Sequence, residues 1–157
     1  MKLSEFFDKD SIIPELQSTD RRGVIKELIN SLVRSGAVAA KDVETVTRAV
    51  VQRENQGSTG FGKGVAVPHA KPPCVKNVVA TIGRSSVGVD FAALDRAPVY
   101  TVVILLSPPS EADNHLAAMT NIFRHLQNDH FRRFLRQADT AEKIADLIDE
   151  AEEIIGA

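Results

Sequence analysis

The segment VYTVVILL, Val99 to Leu106, constrains the fold of this chain most, because its residues are apolar on both alternating sets of positions. Successive side chains of a strand point to opposite faces, so such a strand has to be covered on both sides and belongs inside a sheet. Helical patterns are available to cover it. TDRRGVIKELINSLVRSG spaces Val24, Ile25, Leu28, Ile29 and Leu32 as one helical face, with Thr19 or Asp20 as cap and Gly36 as stop. A second helix is predicted over Asp42 to Glu54 with Val43, Val46 and Val50 as its apolar stripe, and Arg53 continues that stripe three residues on. This puts a guanidinium on an inward face; a cation that suits a helix C-terminus and lets its head reach water is the plainer alternative.

VVATIGR, Val78 to Arg84, predicts another strand. SPPSEADN then caps a helix over about Asn114 to Gln127 that buries Leu116, Met119, Ile122, Phe123 and Leu126, and helical segments His130 to Gln137 and Thr140 to Glu153 follow. Helices before, between and after strands imply a layered α/β fold. The 157 residues suit one core, hence a single domain over 1–157.

Lys and Arg number 19 against 21 Asp and Glu, a net charge of -2, so no basic field exists to hold a nucleic acid. The apolar run Val99 to Leu106 is too short to span a bilayer, and MKLSEFFDKD carries acidic residues where a signal peptide needs an apolar stretch. A cytoplasmic protein without membrane insertion is expected. Cys74 is the single cysteine, which leaves no disulfide framework or cysteine metal cluster and reads as a bland thiol.

GSTGFGKGVAVPHAK, Gly57 to Lys71, carries the chemistry. Gly57, Gly62 and Lys63 match a phosphate-binding P-loop in spacing, but that motif needs a strand before it, a helix after it and a Ser or Thr after the lysine. Here a helical pattern precedes, the β-like VAVPH follows, and Gly64 stands after Lys63. The glycines instead suggest an exposed binding loop, Gly57, Ser58, Thr59 and Gly60, whose N–H groups face a ligand. Pro68 restrains the backbone before His69, which is presented at the lip of the sheet or merely closes a strand end.

Arg53 ends the helix that leads into this loop, and His115 begins the helix after the apolar strand, beyond strand ends where α/β sheets collect ligands. A helix N-terminus disfavours a positive imidazole, so His115 is expected neutral. A histidine nucleophile, a fork-shaped cation for phosphate oxygens and a neutral donor suit the movement of a phosphoryl group onto nitrogen, with no metal or cofactor required. A metal hydrolase lacks support, since no H-x-x-x-H or H-E-x-x-H pair occurs. His125 and His130 read as packing or surface histidines.

R-E-x-x-G-S-T-G from Arg53 to Gly60, G-x-G-V-A-V-P-H-A-K to Lys71, V-D-F-A-A-L-D from Val89 to Asp95 and H-L from His115 together resemble enzyme IIA of the fructose/mannitol class of the bacterial phosphoenolpyruvate-dependent phosphotransferase system, including its nitrogen-regulatory branch. The resemblance implies a mixed-sheet α/β fold flanked by helices. It implies that His69 accepts a phosphoryl group from the phosphohistidine of HPr or an HPr-like carrier, that Arg53 binds it and that His115 lies beside it. Met119 stands where many relatives carry leucine, and Pro72-Pro73 is an uncommon loop beside the site. With no membrane segment, IIB domain or HPr domain in the chain, a regulatory, nitrogen-type IIA that binds target proteins is expected ahead of a sugar-specific component that passes the group to a separate IIB. A binding module that is never phosphorylated is the rival from another class.

Overall fold

The computed structural model describes residues 1–154, so the last three residues of the 1–157 span lie outside it. A short helix α1 (Leu3–Phe6) is followed by α2 (Arg21–Arg34), α3 (Val43–Asn55), β1 (Gly60–Gly62), β2 (Val65–Ala66), β3 (His69–Ala70), β4 (Val79–Val89), β5 (Val99–Leu106), α4 (Ala112–Leu126), α5 (Asp129–Gln137), α6 (Ala141–Asp149) and α7 (Ala151–Ile154). Local chemistry sets the boundaries. Asp20 caps α2 by accepting from Gly23 N–H, Asn128 caps α5 through Phe131 N–H, and Thr140 caps α6 through Lys143 N–H. The segment predicted as one helix from Thr140 to Glu153 is interrupted at Glu150, where the last turn of α6 closes on Asp146 and Ile148.

The sheet is mixed. β5 lies inside it, parallel to β2 and β3 on one side and antiparallel to β4 on the other, while β1 pairs antiparallel with β2. β2 and β3 are two pieces of one path along β5, interrupted at Val67-Pro68 because proline has no N–H for the ladder. The N-terminal segment runs along the outer edge of β4 through bridges Phe7 to Ala80, Ile13 to Gly83 and Asp20 to Asp90. β4 extends beyond the predicted Arg84 to Val89, with a register shift between those residues.

β5 has the two covered faces that its composition demands. Val103 and Leu105 enter a core shared with α1, α4, α5 and α6; Val99, Val102, Ile104 and Leu106 enter a second core under α2 and α3. Burying side chains of this size contributes about 1.5–3 kcal/mol each, so the strand anchors both layers. Among the described residues no helix is long and apolar enough to cross a membrane.

Two sequence expectations change. The buried face of α4 is His115, Ala118, Ile122, His125 and Leu126, and Leu116 is 66% exposed. The helix carries apolar residues around much of its circumference, so periodicity alone does not fix its rotation. On α3 the buried ridge is Val46, Thr47, Val50 and Glu54, and Arg53 is half-buried beside it rather than on it.

Candidate functional site

The register of the sheet brings the site together. His69 pairs with Leu105 and Ala70 with Leu106, so β3 ends level with the end of β5, and Ser107 N–H donates to Ala70 carbonyl at 3.2 Å. The chain then turns through Pro108 into α4, which carries His115 back over that edge. α3 reaches the same place from the other layer with its C-terminal turn. An open cleft of about 560 Å³ results, lined by Gln52 and Arg53 of α3 and its C-cap Gln56, by the run His69 to Pro73, and by His115.

Each side chain is held. His69 Nδ1 lies 2.8 Å from Val67 carbonyl. A carbonyl only accepts, so Nδ1 carries the proton and donates, and the lone pair of the neutral ring resides on Nε2. His115 Nδ1 is 2.7 Å from Ser107 Oγ, and the two imidazoles are 5.6 Å apart between ring centres. Arg53 donates from Nη1 to Gly57 carbonyl at 2.9 Å.

The cleft is electropositive without a balancing carboxylate in its lining. Burial pushes the His69 pKa below 6.5, and the nearby Arg53 and Lys71 charges push it further, against the Val67 bond that favours protonation. Burial also holds His115 low, at about 4, with His69 and Lys71 adding to the effect. The direction agrees with the sequence reading, but its main cause is burial in place of a helix N-terminus. Both rings are neutral at pH 7, and two neutral rings beside two cations can attract an anionic group, supply it with a nucleophilic lone pair and balance its charge.

The glycine segment is placed differently from expectation. GFGKG forms β1 and a hairpin turn into β2, with Gly62 (φ 107), Lys63 (φ 60) and Gly64 (φ 75) all left-handed. The predicted exposed binding loop spends three of its four backbone N–H donors inside the protein: Gly57 N–H on Glu54 carbonyl, Thr59 N–H on the Glu54 carboxylate, and Gly60 N–H on Ser58 Oγ at 3.0 Å. Ser58 Oγ donates to Phe91 carbonyl, and Thr59 Oγ1 donates to the buried Glu54. Gly57, Ser58, Thr59 and Gly60 thus brace the end of α3 and, through the Gly57 carbonyl, aim Arg53. Pro68 is buried behind His69, with its carbonyl accepting from Leu105 N–H.

Sequence reasoning missed Gln52, Gln56 and Ser107 as part of this site. Gln56 lies one helical turn beyond Arg53, a spacing that could have drawn notice, whereas nothing in the sequence distinguishes Ser107. Cys74 follows Pro73, but burial and the Asp42 carboxylate push its thiol pKa up, away from nucleophilic character. His130 is exposed, and His125 is fully buried against Phe131. Among the described residues no group of three or more His, Cys, Asp or Glu is arranged to hold a metal ion.

A family described as the phosphoenolpyruvate-dependent sugar phosphotransferase system, EIIA 2, matches residues 5–151. The chain belongs to this family. IIA domains of the phosphotransferase system are phosphotransfer components that work with HPr-like and IIB proteins. The chain is 32% identical over 150 residues to the fructose-specific EIIABC component of Bacillus subtilis, covering 96% of this chain but only 23% of that longer protein. It is 27% identical over 148 residues to a nitrogen regulatory protein of Bradyrhizobium diazoefficiens, covering 94% and 95% of the two chains. Among solved structures, the nitrogen regulatory protein IIA-Ntr of Neisseria meningitidis superposes with a TM-score of 0.82 at 26% identity, over 93% of this chain and 98% of that one. The mannitol enzyme IIA of Escherichia coli, solved in complex with phosphorylated enzyme IIB, shares the fold at 17% identity and a TM-score of 0.75, over 92% and 99%.

Proposed function

We propose that the protein is a phosphocarrier that takes a phosphoryl group onto His69 Nε2 from the phosphohistidine of HPr or an HPr-like carrier. The observation that carries this reading is the Val67 bond, which leaves the Nε2 lone pair free in a cleft that holds Arg53, Lys71 and His115 and no carboxylate. In the transfer the donor N–P bond breaks, with its electron pair returning to the donor ring, and an Nε2–P bond forms from the His69 lone pair. The Nδ1 proton stays in place, and the Val67 carbonyl stabilises the positive charge the ring acquires. Arg53 and the neutral His115 act on the phosphoryl oxygens, so alignment and charge stabilisation supply the catalysis.

The regulatory, nitrogen-type role is the first reading, supported by the match to IIA-Ntr at a TM-score of 0.82 and 26% identity, against 0.75 and 17% for the mannitol enzyme IIA. Phosphorylation adds about two negative charges at the cleft, enough to change which protein surface it accepts. A sugar-specific role, with onward transfer to a separate IIB, is favoured by the 32% identity to the fructose-specific component. Labelled phosphoryl transfer from a sugar-branch HPr and from a nitrogen-branch carrier, followed by addition of fructose- and mannitol-type IIB, separates the two. Preference for the nitrogen-branch carrier and no discharge to IIB support the regulatory role; rapid discharge to IIB contradicts it. In the same assay Arg53→Ala slows uptake by about a hundredfold, as loss of a group that balances developing charge does. An unchanged rate would remove Arg53 from the site.

A further inference from the structure

Ser107 is fully buried at the end of β5. Its N–H donates to the carbonyl of Ala70, the residue after His69, and its Oγ meets His115 Nδ1 at 2.7 Å, so one residue ties together the backbone of one histidine and the ring of the other. Among the described residues this Oγ has no hydrogen-bond partner besides His115.

A serine hydroxyl has one proton to give and lone pairs to receive, and a neutral imidazole has one N–H and one lone pair. The 2.7 Å contact therefore permits two arrangements. If His115 Nδ1–H donated to Ser107, the serine proton would be left buried with no acceptor, which is penalised relative to a paired hydroxyl. If Ser107 O–H donates to Nδ1, both groups are satisfied and the histidine proton resides on Nε2.

We propose that Ser107 is a positioning residue whose hydroxyl donates to His115 Nδ1 and fixes the proton of that ring on Nε2. His115 then has no free lone pair: Nδ1 is occupied and Nε2 is a donor. His69 has the opposite arrangement, with Nδ1–H on the Val67 carbonyl and a free lone pair on Nε2. Two neighbouring imidazoles are thereby differentiated into one nucleophile and one hydrogen-bond donor. The consequence for transfer rests on the phosphocarrier reading; the tautomer assignment does not.

The test is long-range proton–nitrogen NMR on the ¹⁵N-labelled full chain, with transfer rates measured on wild type, Ser107→Ala and Ser107→Thr. Wild type shows His115 with a protonated Nε2 and an unprotonated Nδ1. Ser107→Ala gives mixed tautomers and uptake at least tenfold slower, the scale at which loss of a group orienting a functional histidine is felt, and Ser107→Thr, which keeps the hydroxyl, restores both. A wild-type His115 protonated on Nδ1 overturns the proposal, as does a Ser107→Ala protein whose tautomer is unchanged whether or not its rate falls. If wild type takes up no phosphoryl group from any carrier, the phosphocarrier reading fails, and the wild-type spectrum still decides the Ser107 assignment.

Discussion

His69 and His115 are held by different means, one by a backbone carbonyl and one by a hydroxyl, but burial acts on both in the same direction. A folded-state pKa below the unfolded value means that the native protein refuses a proton the unfolded chain accepts. The stability contribution is therefore unaffected above the unfolded value of 6.5, and stability falls as pH drops from there toward about 4, below which the His115 effect levels off. NMR titration of the ring protons is expected to give a His115 midpoint at about 4 and a His69 midpoint below 6.5. Midpoints at 6.5 for both rings would contradict the assigned burial. His69, His115 and Arg53 could be named from the sequence because their residue types and motif spacing carry information. Ser107 could not, since a serine after an apolar strand is ordinary and its role depends on a helix returning over it.

At the scale of elements, the strength of each sequence signal decided what could be read. β5 was placed without error because an apolar run of eight residues has few other homes, and α2 followed from its stripe, its Asp20 cap and Gly36. β1 was missed because three residues of glycine and phenylalanine carry no period, whereas on α4 Ile122 and Leu126 are buried and Met119 and Phe123 pack against the core as expected, and only Leu116 turns outward, because apolar residues surround much of the helix. Glu54 shows how the α3 end and the glycine segment operate as one piece. It is 1% exposed, accepts from Thr59 and has Arg21 Nη1 at 3.7 Å. Glu54→Ala leaves Thr59 N–H and O–H without their acceptor, a loss of about 1–3 kcal/mol. A lowered urea midpoint, together with slower phosphoryl uptake as the Gly57 carbonyl ceases to aim Arg53, is the expected outcome. A variant as stable as wild type would show that the carboxylate does not hold the loop.

Across the whole molecule, one central strand divides two cores, and the cleft opens where β3 and β5 end, lined by the last turn of α3 from one layer and by His115 near the start of α4 from the other. The layered α/β architecture was legible because a strand apolar on both faces requires two helical layers. That the sheet is mixed followed only from the resemblance, and the strand order was not legible at all, since hydrophobic pattern does not encode which strands pair. With a net charge of -2, any attraction for an anion has to be local, and Arg53 and Lys71 place two positive charges in the lining of the cleft. The central claim is that this cleft makes a phosphohistidine at His69. Intact-protein mass spectrometry after incubation with phosphoenolpyruvate, enzyme I and an HPr-type or nitrogen-type carrier tests it most directly, on wild type and His69→Ala. The account predicts one acid-labile phosphoryl group on wild type and none on a folded His69→Ala protein; a phosphoryl group on both, or on neither with every carrier tried, would contradict it.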